Sequence, residues 1–336
     1  METPKVAVVI LNYNGLHWLK QFLKTVVEKS PSADIYVADN ASTDLSLSFV
    51  ENHFPQVKVI KNKNNSGYAA GYNHALQEIC ADYYILLNSD VEVTDNWITP
   101  IIDIMENNKT IAACQPKIKH HTNKLSFEYA GACGGFLDKF GYPFCRGRIF
   151  EEIEIDNGQY DDSTEVFWAS GACLFLRSTA FYEVGGFDWD FFAHMEEIDL
   201  CWKLKNKDYK IMCIPKSTVY HVGGGTLANG SRFKTYLNYR NNLLLLYKNL
   251  NPQSRNLILF LRMCLDGISS IKFILEGRPL HIIEILKAHL YFHFKKGPFR
   301  KKRPKEFKVK LGSKSIVFAY FFEKKRRFTQ LKSDFS

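Results

Sequence analysis

The chain has 336 residues, 46% of them apolar and 24% charged, the composition of an ordinary globular protein long enough for one large domain or two intimate ones, for which disorder is not the default. Its eight cysteines form no CxxC pair and share no regular spacing, so a zinc module is not expected and reduced thiols fit better. The formal net charge of +9 is unevenly placed: residues 1–250 carry 24 basic and 29 acidic side chains, residues 251–336 carry 20 and 6, so the basic segment has nucleic acid or anionic lipid as its natural partners.

The first apolar run, Val6–Leu11, is too short for a signal-peptide core and reads as a buried strand, so no export is expected. Leu16, Leu19, Leu23, Val26 and Val27 then recur at helical spacing. Ile35–Ala38 and Val57–Ile60 are short strands, a helix is predicted from about Tyr68 to Cys80, and Tyr83–Leu87 is a further strand. Such alternation predicts an α/β fold whose first hundred residues form a Rossmann-like half around a largely parallel sheet. From 120 to 150 the chain is rich in glycine and aromatics, which predicts loops or short strands and an acceptor-side insertion. Val166–Leu176 reads as one strand, and Gly185-Gly186 breaks the helical turn after Ser178.

In Asn256–Leu275, Phe260, Met263, Cys264, Ile268, Ile271 and Leu275 fall on one helical side, with Arg262, Asp266, Ser269 and Ser270 opposite. Charges recur too often for a transmembrane helix. A second apolar stretch, Leu280–Phe294, leads into Lys295, Lys296 and Arg300 to Arg303, with Lys324 to Arg327 beyond. Apolar helix plus basic cluster is a two-signal arrangement for an anionic lipid surface, and the competing reading is helices packed on the preceding domain with a solvated basic face. No nucleic-acid-binding motif accompanies the charge.

In open α/β sheets ligands bind outside the carboxyl ends of the strands. Here those ends are polar: Asn12-Tyr13-Asn14, Asp39 to Asp44, and Asn88-Ser89-Asp90, which together predict one crevice. No GxGxxG follows the first strand, which disfavours a dinucleotide site. An acid at a strand end such as Asp90 either holds Mg²⁺ or Mn²⁺ against substrate phosphates or forms a turn. In Asn65–Asn73, Gly67 allows close backbone approach and Asn73 can bond a ligand. Further on, Ile198, Cys201 and Trp202 share a buried helix face, leaving Glu196, Glu197 and Asp199 near a helix N-terminus, as bases or as stabilising first-turn acids.

Taken together these segments resemble family 2 glycosyltransferases of the GT-A fold, including rhamnosyltransferase-like enzymes of bacterial surface polysaccharide synthesis. The resemblance covers residues 4–250 and is carried by Val6–Asn14, Asp39–Asp44, Asn64–Asn73, Asn88-Ser89-Asp90, Trp168–Ala172 and Gly185–Trp202. It implies a catalytic domain over 1–250 (a nucleotide-binding half, 1–105, and an acceptor half, 106–250) followed by a helical basic extension, 251–336. It also implies that Asp39 meets the nucleobase, that Asn12, Ser42, Asn65, Gly67, Asn73, Asn88 and Ser89 line the nucleotide-sugar, and that Asp90 with His221 holds the metal. Arg240 would neutralise phosphate, and Trp168, Gly171 and Ala172 would border the acceptor. Two positions depart from the family pattern: Asn88 replaces the first Asp of the metal motif, and the usual Glu-Asp pair reads Glu196-Glu197. The base is therefore Glu197 or Glu196, with Asp199 orienting the acceptor or the helix.

The expected activity is inverting, metal-dependent transfer from a UDP-, dTDP- or GDP-linked sugar to a hydroxyl of a glycan or lipid-linked glycan, at the cytoplasmic face of a membrane. A glycosidase would leave Asp39 and Asp90 unexplained, and a nucleotidyltransferase would need a basic glycine-rich loop where Asn12–Gly15 stands. The non-enzymatic alternative is a membrane-bound scaffold or glycan-binding protein of the same fold.

Overall fold

The computed structural model describes residues 3–224 and 230–331; Gly225, which closes the glycine run after His221, and residues 332–336 of the basic segment lie outside them. In chain order the first half is β1 (Val6–Asn12), α1 (Leu16–Glu28), β2 (Asp34–Asp39), α2 (Ser46–His53), β3 (Lys58–Lys61), α3 (Gly67–Gln77), β4 (Tyr83–Asn88), β5 (Val91–Val93), α4 (Thr99–Asn107) and β6 (Ile111–His120). Short strands β7 (Gly135–Leu137), β8 (Pro143–Cys145), β9 (Arg148–Ile149) and β10 (Glu152–Ile153) follow. Then come β11 (Thr164–Glu165), β12 (Cys173–Arg177), α5 (Ser178–Glu183), α6 (Glu196–Asn206) and β13 (Lys210–His221). The chain continues through α7 (Arg232–Asn249), α8 (Pro252–Leu275), α9 (Leu280–Lys295), α10 (Gly297–Lys301) and α11 (Ile316–Phe321).

The main sheet runs β11-β13-β6-β12-β4-β1-β2-β3, with β5 on β13. Its N-terminal half, β3-β2-β1-β4, is wholly parallel; β12 is antiparallel to both β4 and β6, and β13 returns parallel to β6. This is the mixed, mainly parallel α/β sheet that the alternating pattern predicts. Both faces are covered, which is why β1 and β4 read as unbroken apolar runs. Ala7 and Val9 enter one core, Val6, Val8 and Ile10 the other.

Val166–Leu176 is a correction. The chain forms β11 and β12 with an irregular crossing between them, because the Ser170 amide is taken by the Gln115 side chain and Ser170 Oγ by the Ala130 carbonyl, not by a neighbouring strand. The segment that follows residue 250 is packed into the first core: Phe292, Phe299, Ile316, Ala319, Tyr320 and Leu331 are buried with Leu243 to Leu246. Asp138 accepts hydrogen bonds from the Phe140, Tyr142 and Ile316 amides, tying the aromatic insertion to α11. No helix among the described residues is long and apolar enough to cross a membrane.

Candidate active site

The parallel register brings Asn12 beside Asp39 and Leu11 beside Asn88, so the three polar strand ends open on one side of the sheet. A cavity of about 380 Å³ lies there, within the range of small-molecule sites. Its walls come from the β4–β5 turn (Asn88, Ser89, Asp90), the start of α3 (Gly67, Tyr68), the Ser170-Gly171-Ala172 crossing and the start of α6 (Glu196, Glu197).

On one side Asp90 Oδ1 lies 3.1 Å from His221 Nε2, and the other ring nitrogen lies 3.4 Å from Glu128 Oε2. All three side chains are buried. Burial works against a charge on His221, but the Glu128 and Asp90 carboxylates outweigh it and push its pKa up to about 10. Glu128 also accepts a hydrogen bond from the Ala130 amide, which holds its carboxylate against the ring.

Across the cavity, Glu196 and Glu197 open α6. The helix N-terminus favours their ionised forms, but burial dominates. Burial raises Glu197 to about 7. Glu196 is raised well above its ordinary value, by burial and then by repulsion from Glu197 and Asp199. Each has one buried carboxylate oxygen without a hydrogen-bond partner. Both carboxyls are thus held toward their neutral forms, and ionising one opposes ionising the other.

The approach to α6 is strained. Phe192, His194 and Met195 adopt φ values of 65°, 70° and 74°, uncommon for residues with a Cβ. Two elements hold this turn. The Tyr68 and Ala69 amides donate to the Phe192 carbonyl at 2.7 and 3.3 Å, an approach that requires Gly67, since a Cβ there would sit 2.4 Å from the same carbonyl oxygen. From α7, Asn241 Nδ2 donates to the carbonyls of Phe191, Ala193 and His194.

Of the residues singled out from the sequence, the cavity gathers Asn65, Gly67, Asn88, Ser89, Asp90, Gly171, Ala172, Glu196, Glu197 and His221. Asn12, Asp39 and Ser42 are not among its walls and bind one another: Asn12 Nδ2 donates to Asp39 Oδ1 at 3.0 Å and to Ser42 Oγ at 3.1 Å, and the Ser42 amide donates to Asp39 Oδ2 at 2.9 Å.

Four residues stand elsewhere. Asn73 makes a paired contact with the Phe187 backbone, donating to its carbonyl and accepting from its amide, so it clamps α3 to the loop before α6. Trp168 is buried, its indole N–H spent on the Phe136 carbonyl. Arg240 donates to the Asp190 and Phe191 carbonyls and to Asn241, and lies over the Tyr236 and Tyr291 rings, so it fixes the strained turn and does not reach the cavity. Asp199 is fully buried, accepting from Lys248 Nζ and Asn249 Nδ2 at 2.8 Å each; it orients the helix, not a ligand. The sequence reading missed Glu128, Tyr68 and Lys234, all in the cavity wall. Glu128 sits in the aromatic-rich insertion without a motif, and only the fold brings it to His221.

The sequence profile named "Glycosyl transferase family 2" matches residues 7–181. The chain is similar to the N-acetylglucosaminyl-diphospho-decaprenol L-rhamnosyltransferase of Mycobacterium tuberculosis, 24% identical over 234 residues that cover 65% of this chain and 76% of that protein. Among solved structures it is similar to GalNAc-T7 with UDP, GalNAc and Mn²⁺, with a TM-score of 0.57 and 17% identity over 74% of this chain, spanning 48% of that one. It is also similar to the mannosyltransferase PcManGT from Pyrobaculum calidifontis in complex with GDP-Man and Mn²⁺, with a TM-score of 0.52 and 14% identity over 89% of this chain and 78% of that one. At these identities the two structural likenesses speak to the fold alone.

Proposed function

The chain belongs to glycosyl transferase family 2, and from that premise we propose that it is a glycosyltransferase that moves a sugar, with inversion, from a nucleoside-diphosphate sugar to a hydroxyl of a glycan or lipid-linked glycan, using a divalent metal. The observation that carries this reading is the pairing of two carboxylates having partnerless buried oxygens, Glu196 and Glu197, with Asp90 and His221 in one cavity.

A single displacement needs a proton acceptor for the incoming hydroxyl and charge stabilisation at the leaving group. Glu197, whose carboxyl burial brings to about 7, takes the proton. Glu196, the neighbouring carboxyl in the same cavity, is the alternative base. Asn65, Asn88 and Ser89 offer polar contacts along the donor.

Among the described residues no three His, Cys, Asp or Glu side chains form a metal-binding group. The donor set fits Mg²⁺ or Mn²⁺ arriving with a diphosphate: the Asp90 carboxylate and the His221 imidazole, after giving up its proton, would supply two ligands, and Glu128 orients the ring from its far side. Bound there, the metal would neutralise charge on the departing diphosphate.

For the acceptor, the support is that the M. tuberculosis relative is named for a diphospho-decaprenol substrate. A lipid-borne acceptor goes with a peripheral place at the cytoplasmic face of a membrane, and the basic C-terminal segment supports that.

Calorimetric titration with UDP, dTDP and GDP, with and without Mn²⁺, tests the donor side. One nucleotide is expected to bind in a metal-dependent way, and Asp90→Ala is expected to weaken that binding by about tenfold or more. Equal binding by the variant would remove Asp90 from the metal site, and binding of none of the three would overturn the donor class.

A further inference from the structure

The amphipathic helix read from the sequence is turned opposite to its usual sense. In α8 the residues that face the protein are Leu259, Arg262 and Asp266, whereas Leu257, Phe260, Ile268, Ile271 and Leu275 are between 56% and 82% exposed. The polar side is satisfied internally: Arg262 pairs with Asp266 at 2.9 Å and lies over the Tyr142 ring, and Asp266 also meets His289 of α9 at 3.1 Å. Helix α9 buries Ile285, Ala288 and Phe292 together with His281 and Glu284, and still leaves Ile283, Leu286, Leu290 and Phe294 outward. An outward apolar stripe of this length on two packed helices marks an interaction surface.

We propose that the outward face of the α8–α9 hairpin is the surface by which this protein lies on an anionic lipid bilayer. Charge selects lipid over a protein partner. Residues 251–305 contain twelve Lys and Arg against three acids; Asp266 and Glu284 are buried in ion pairs, as is Arg262, while Lys272, Lys287, Lys295, Arg300, Lys301 and Lys305 are exposed. Exposed basic side chains on the same segment as an apolar stripe are complementary to acyl chains beneath anionic headgroups. No described helix is long and apolar enough to span, so the hairpin rests in the interface plane.

The placement bears on the acceptor. The turn between the two helices is tied to the start of α7: Arg278 donates to the Gly230 carbonyl at 3.0 Å, Thr235 bonds His281 at 2.8 Å, and Arg232 pairs with Glu284 at 2.6 Å. Phe233 and Lys234, in that same first turn, line the cavity, and Phe233 is about half exposed. A hairpin lying on the bilayer therefore brings the cavity mouth to the headgroup layer, where a lipid-borne diphospho-sugar presents its hydroxyls. This last consequence rests on the lipid-linked acceptor reading above; the surface itself does not.

Vesicle flotation with the full chain tests the surface without any turnover. The protein is expected to float with phosphatidylcholine vesicles containing phosphatidylglycerol, to bind pure phosphatidylcholine more weakly, and to be released by salt. Ile268→Glu/Ile271→Glu and Leu286→Glu/Leu290→Glu are each expected to cut the partition coefficient by about tenfold or more, with an unchanged thermal midpoint because these side chains are exposed. Absence of flotation, or flotation that both variants retain, would overturn the proposal. So would a concentration-dependent dimer in sedimentation that the variants abolish while vesicles bind nothing, since a second copy would then cover the face. Failure of nucleotide binding in the calorimetric experiment leaves these outcomes unaffected, so the two readings fail separately.

Discussion

Glu197→Gln is expected to lower kcat by about 10²–10⁴-fold, the usual worth of a general base, while nucleotide affinity stays unchanged. Glutamine keeps the side chain's size and its place in the first turn of α6 but cannot accept the acceptor's proton. The sign of the pH dependence follows from the raised Glu197 pKa of about 7. The competent form is the ionised one, so wild-type turnover at saturating donor rises with pH and levels off above about 7, and an ordinary exposed glutamate would already be ionised two units lower. Glu196→Gln keeps the base and is expected to leave the rise near pH 7 in place, because burial and not Glu196 raises the Glu197 carboxyl. If Glu197→Gln turned over normally and Glu196→Gln were dead, the roles of the two carboxylates would be exchanged. Single-turnover rates across pH distinguish these results, because product release can hide a change in the chemical step.

The sheet and the crevice were legible in the sequence because strand alternation and polar strand ends are local signals. Asn12, Asp39 and Asn88 each terminate an apolar run, and parallel pairing then places them together with no further information. What the sequence did not separate was ligand-facing from protein-facing polarity. Asn73 and Arg240 have the residue types and neighbourhoods of binding residues, yet both are consumed by backbone groups of the loop before α6. That loop has strained, buried backbone whose carbonyls need donors, a demand that no residue spacing reveals. Likewise, the two sides of α8 were correctly divided into polar and apolar, but which side faces inward depended on Asp266, Tyr142 and His289 offering partners to a buried arginine. Glu128 was invisible for the converse reason, since its partner His221 is 93 residues away in a different strand.

The largest stability effect is expected at Lys248. Its Nζ lies 2.8 Å from Asp188 and 2.8 Å from Asp199, and all three side chains are almost wholly buried. Lys302, from the basic C-terminal segment, reaches the same cluster through Asp188 and Asp190. Burial opposes the charge on Asp188, yet Lys248 and Lys302 hold its pKa below the ordinary carboxylate value. Among the described residues, Lys248→Ala would leave Asp199 with only Asn249 and a more distant Lys203 at 3.8 Å, and Asp188 with Lys302 as its sole cation; removing one partner of a buried ion pair costs about 3–5 kcal/mol. Lys302→Ala is expected to cost less, because that lysine is partly solvated and Lys248 remains. Thermal unfolding of the two variants measures the difference. A depressed carboxylate contributes stability above its unfolded pKa of about 4, which is lost as pH falls through the lower folded value; the wild-type midpoint should therefore fall in acid, and the Lys248→Ala midpoint should fall less steeply. A midpoint unchanged by Lys248→Ala would mean that Lys302 on Asp188 and Asn249 on Asp199 suffice without it, and would overturn this assignment. The cluster has a catalytic consequence as well, since Asp199 belongs to the helix that presents Glu197. A Lys248 variant that stays folded should lose turnover through displacement of α6, and in that case kcat falls while metal-dependent nucleotide binding at Asp90, on the far wall of the cavity, is kept.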